Sequence, residues 1–206
     1  MTPGPNLILR LPNSTTLTQI TSLDSSNNFG ATHWTDGRCV APMEPDELWL
    51  RVHRPTGEFF WTDECEEIGQ DTAWGGISSE WKDIPFADDP DADDFFHAIQ
   101  NGLADNPEKI RYLRVWLWWK QNDSVRSDGQ LQADLEAYRG NLEALIAISD
   151  LTRPNERLMA AEAARQLGDF ARACELLAGD LPADYAHAAT RIRDLAERRD
   201  TLVRQL

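Results

Sequence analysis

The sequence predicts an α+β protein, with a small N-terminal domain of antiparallel β-hairpins over residues 1–88 and an all-α helical bundle over 89–206. Three observations predict it. Twice within the first 62 residues a run of β-formers is followed by a Pro-containing turn and a second such run. From about residue 89 the apolar positions recur instead at intervals of three and four. The charge divides in nearly the same place, with 20 Asp+Glu against 5 Lys+Arg in residues 1–108 and 15 against 15 in residues 109–206.

The first hairpin is LILRL (7–11) and TLTQI (16–20) around the turn PNST, and the second is ELWLRVH (47–53) and EFFWT (58–62) around RPTG. Both pair β-branched, aliphatic and aromatic residues with turn-forming Pro, Asn and Gly. Between them Gly30, Gly37, Pro42 and Pro45 punctuate a long connection that has room for a short strand around His33 and Trp34.

The helical part opens with Asp89 as a cap and Pro90 as the first residue of a helix carrying Phe95, Ile99 and Leu103 on one face. Asn106-Pro107 opens a second helix, KIRYLRVWLWWK, which is apolar nearly all round and so belongs at the buried centre. After the break NDSVRSDG, the stripe Leu131, Leu135, Tyr138, Leu142 and Leu145 marks an amphipathic helix over 129–148. Pro154 begins the next helix and Gly168 ends it, and 169–178 and 182–204 supply two more.

Composition restricts the function. A net charge of −15 repels nucleic acid and anionic lipid, and attracts a cationic ligand or a basic protein surface. No run approaches the roughly 20 apolar residues of a membrane span, and the start has neither a basic nor an adequate apolar signal region, so the chain is expected in the cytoplasm. Cys39, Cys65 and Cys174 are too few and too scattered for a disulfide framework. Acidic neighbours raise the pKa of Cys65 and disfavour it as a nucleophile. No phosphate loop, nucleophile elbow or H-E-x-x-H helix is present, so no catalytic role and no cofactor are expected.

The densest signal is acidic. Residues 63–94 hold twelve carboxylates and one lysine, interleaved with Trp74, Trp81, Ile84 and Phe86. Within FADDPDADDFF, Asp89, Asp91 and Asp93 match the opening of a calcium loop, but Asp94 and Gln100 stand where glycine and glutamate are required. Helix-start electrostatics account for one or two of the five aspartates, because the benefit fades after the first turn. The segment therefore reads as an irregular binding surface for a basic protein. Asp63, Glu64, Glu66, Glu67, Asp71, Asp88, Asp89, Asp91, Asp93 and Asp94 steer the partner, and Trp74 and Trp81 anchor it.

Three resemblances bear on these readings. ERLMAAEAARQLGDFARACELLAGD, with Ala161, Leu167, Gly168, Phe170 and Ala173 at their spacings, resembles one tetratricopeptide-type helix pair, which implies an adaptor or chaperone role. The turns Leu11-Pro12-Asn13-Ser14 and Arg54-Pro55-Thr56-Gly57 are similar to zinc-ribbon knuckles without their cysteines. That likeness implies a metal-free ribbon in which Trp34, Trp49, Phe59 and Trp61 replace the stabilisation of zinc. His33, Cys39, His53 and Cys65 have suitable types for another zinc site, but no pair of them has the short spacing such sites use. The acidic profile as a whole resembles immunity proteins, in particular those of type VI secretion DNase effectors. That resemblance implies a non-catalytic inhibitor whose carboxylates fill the cationic cleft of a nuclease toxin. A metal-dependent enzyme using the aspartates is the remaining alternative.

Overall fold

A computed structural model describes residues 1–71 and 80–206, and the architecture is α+β. The strands are β1 (Thr2–Pro3), β2 (Asn6–Arg10), β3 (Leu17–Ile20), β4 (Leu23–Ser25), β5 (Thr32–His33), β6 (Cys39–Val40), β7 (Leu50–His53), β8 (Glu58–Trp61) and β9 (Glu66–Asp71). The helices are α1 (Ala92–Gln100), α2 (Pro107–Asp128), α3 (Leu135–Ile148), α4 (Pro154–Gln166), α5 (Phe170–Leu176) and α6 (Ala183–Glu197). Two compact units result: Met1–Ala31 with Ala41–Pro90, and Thr32–Val40 with Asp91–Leu206.

In the first unit both expected hairpins form. Strand β2 pairs antiparallel with β3, with Leu7 opposite Ile20, and β7 pairs with β8, with Leu50 opposite Trp61. Strand β9 adds to the other edge of β2, so the order is β3-β2-β9. This corrects the irregular reading of the acidic segment, because Glu66–Asp71 is a strand held by a ladder to a partner about sixty residues earlier. Sequence alternation is weak there, and the pairing is non-local. Leu9, Leu11 and Phe60 are buried together under Leu7 and Ile20, and Trp61 is buried as well. Trp49 is 43% exposed and Phe59 half-buried, so aliphatic side chains supply much of the packing expected from the aromatic set.

The second unit is built around α2. Asn106 caps it through the Lys109 amide at 2.9 Å, Pro107 occupies its first turn, and Leu113, Val115, Trp116, Leu117 and Trp118 are buried. The expected break NDSVRSDG is instead the last two turns of α2, which ends at Gly129 with a φ of 74°. It stays helical because Asn122 and Val125 are buried. Helix α3 begins at Leu135, later than its apolar stripe, because the Asp134 carboxylate accepts from the Ala137 amide. Helices α4 and α5 turn at Gly168, with a φ of 84°, and pack with α6 through Ala160, Ala161, Ala164, Ala173 and Ala189. Alanines at these positions let the helix backbones approach closely. Among the described residues no helix is long and apolar enough to cross a membrane.

Candidate functional site

The acidic stretch divides by environment. In the first unit Asp63 and Glu64 lie on a 3-10 turn (Thr62–Glu64) and Glu66 and Glu67 on β9, all exposed. Glu66 pairs with Arg10 at 2.6 Å, while Glu67 accepts from Gln70 at 2.9 Å. Asp88 and Asp89 are also exposed and meet the strand β7 and its turn: Arg54 reaches Asp88 at 3.2 Å and Arg51 pairs with Asp89. The backbones of Val52 and Asp88 are hydrogen-bonded in both directions. Asp71, at the end of β9, is 4% exposed. It cannot present charge to a partner.

Trp81 lies over the backbone of β9. A Cβ on Gly69 would stand 2.6 Å from its Cη2 atom, so only glycine allows the indole this approach. The carbonyls of Trp81 and Ile84 accept from the Gln19 amide at 3.0 and 2.8 Å. Half-buried against β9, Trp81 has less surface to offer as an anchor than a free indole would. Trp74 lies outside the described residues.

Asp91, Asp93 and Asp94 belong to the helical unit. The cap of α1 is Asp91, where the sequence suggested Asp89. The Asp94 amide donates to the Asp91 carboxylate at 2.9 Å, and the Asp91 amide to the Asp94 carboxylate at 3.1 Å. This reciprocal box favours Asp91 because only a residue three positions before another acid can close it. Asp94 is 8% exposed and so is withdrawn from any docking surface, whereas Asp93 is exposed. Of the five crowded aspartates, two form the helix cap and two pair with arginines.

Cys65 donates to the Trp61 carbonyl at 3.4 Å, and burial together with Glu64, Asp63 and Glu58 pushes its thiol up to about 11. A thiolate nucleophile is thereby disfavoured at neutral pH. His33 and Cys39 are cross-strand partners in the helical unit, while His53 and Cys65 belong to the other. Among the described residues no group of three or more His, Cys, Asp or Glu side chains is arranged to hold a metal ion.

Sequence reasoning missed an extended buried polar cluster inside the helical unit. Asp36, fully buried in the β5–β6 turn, pairs with Arg126 and accepts from Asn122 at 2.9 Å, and its carbonyl accepts from Trp119 at 3.0 Å. Burial pushes the Asp36 carboxyl above the usual range, and Arg126 and Asn122 pull it back only in part. From Asn122 the network continues through Tyr138 and Gln166 to Glu162, which pairs with fully buried Arg165 at 2.6 Å and accepts from Thr35 at the same distance. Arg165 also donates to the carbonyls of Asp200 and Leu202. The network thus ties residues 32–40 and the segment after α6 to α2 and α4. The sequence signal for this was the Asp36-Gly37 turn. The partners of Asp36, namely Trp119, Asn122 and Arg126, lie 83, 86 and 90 residues further along the chain, beyond the reach of local patterning.

No family of known proteins matches this chain, and neither a curated protein nor a solved structure resembles it significantly.

Proposed function

We propose that the chain is a non-catalytic acidic binding protein that masks a basic protein surface, and that its partner is a nuclease toxin, as for an immunity protein. The observation that carries this reading is the exposure of Asp63, Glu64, Glu66, Glu67, Asp88 and Asp89 in a unit from which most lysine and arginine is absent. A cleft that binds phosphate must be cationic, and an array of carboxylates competes for it electrostatically. The internal pairs with Arg10, Arg51 and Arg54 lower the free charge of this set. Asp63 and Glu67, which meet no cation among the described residues, are therefore the strongest candidates for steering.

The test is co-expression with the product of the adjacent gene, which the proposal expects to be a nuclease toxin. Protection of the host and co-purification of a one-to-one complex are the expected results. Unchanged toxicity with no complex contradicts the proposal.

A further inference from the structure

We propose that the groove between α1, α2 and α3 is a binding site for a small monocarboxylic acid with an apolar body, its carboxylate held by Arg114. The groove encloses about 430 Å³, within the roughly 300–1,000 Å³ typical of small-molecule sites. Phe96 and Ile99 from α1 and Leu117 from α2 form its apolar walls. One cation projects among them.

The environment of Arg114 is the first argument. The residue is half-buried, yet among the described residues its side chain hydrogen-bonds only the Asn141 amide oxygen, at the long distance of 3.4 Å. Other arginines of this unit have closer acceptors: Arg126 has Asp36 and Asp123, Arg165 has Glu162, and half-buried Arg157 and Arg193 donate to the carbonyls of Asp180 and Leu177. In a chain with 35 Asp+Glu, a partly desolvated guanidinium without an acid is one that an incoming anion would satisfy. Burial lowers its pKa, in keeping with a missing counter-charge. Asn141 is fixed in turn, 4% exposed and donating to the Arg114 carbonyl at 3.0 Å, so the guanidinium is held from a rigid neighbour.

The second argument is Gly140. Glycine inside a helix costs about 1 kcal/mol relative to alanine. Here no atom lies within 4 Å of the position a Cβ would occupy, so close packing does not require it. Its effect is to keep the wall of the groove open. Asp134 and Glu136 also line the groove and oppose negative charge, so a ligand with more than the one carboxylate that Arg114 neutralises is disfavoured.

The test uses 3-phenylpropionate, with 3-phenyl-1-propanol as its uncharged counterpart, read by calorimetry and by amide chemical shifts of the full chain. The acid should bind with a Kd below about 1 mM and at least about tenfold tighter than the alcohol, shifting the amides of Leu117, Gly140 and Asn141. Arg114→Gln should reduce the acid to the affinity of the alcohol. Gly140→Leu, which replaces no contact, should fold normally and lose both ligands, and it decides the matter if the arginine variant does not fold. Equal affinity for acid and alcohol, an Arg114→Gln protein that keeps the preference, or no shift at about 10 mM of either compound would overturn the proposal.

Discussion

The carboxylate of Asp36 and the guanidinium of Arg126 meet in the interior of the helical unit, with side-chain exposures of 0% and 8%. A buried pair of this kind is stabilising only while both members are present, because either one alone is a desolvated charge. Asp36→Ala and Arg126→Met should therefore each lose about 3–5 kcal/mol in chemical denaturation. The double variant Asp36→Leu/Arg126→Met should lose much less than the sum. Additive losses would show that the two groups do not depend on each other.

Trp81 rests where Gly69 has no side chain, and the same reasoning makes that position sensitive. Gly69→Ala should displace the indole and cost about 1–3 kcal/mol, as overpacking does. Quenching of tryptophan fluorescence by acrylamide should increase in the variant. Wild-type quenching and melting together would mean that the ring is not seated on β9.

Cys65 provides a pH prediction. Its thiol is raised from 9.0 to about 11 in the folded protein, so the folded state holds its proton more tightly than the unfolded state does. The contribution to stability is present below pH 9 and is lost as pH rises towards 11. Comparison of wild type with Cys65→Ala across this range should isolate that loss. Iodoacetamide labelling of Cys65 should likewise stay slow at pH 8 and accelerate towards pH 11; a plateau already near pH 9 would contradict the shift.

Local chemistry made much of the fold legible. The turns at Pro12-Asn13 and Pro55-Thr56, the Asn106-Pro107 helix start and the Gly168 turn all act through residues adjacent in sequence, and each appears where it was expected. What was hidden depends on distant partners. Strand β9 exists because Ile8 and Gly69 pair, and α2 continues through Asn122 because Asp36 accepts its amide. The acidic segment was conspicuous as composition. Its partition into cap, arginine partners, buried groups and exposed charge was not, since Asp91 differs from Asp93 only in having Asp94 three positions later.

The most direct measurement of the central claim is the association rate between the chain and its captured basic partner, followed by stopped flow at low and physiological salt. The variant should neutralise the exposed set as Asp63→Asn, Glu64→Gln, Glu66→Gln, Glu67→Gln, Asp88→Asn and Asp89→Asn, leaving the Asp91–Asp94 cap intact. If these carboxylates steer encounter, the wild-type rate should fall steeply with salt, and the variant should associate roughly tenfold or more slowly at low salt while dissociating at a similar rate. An association rate unchanged by the six substitutions at low salt would contradict the account.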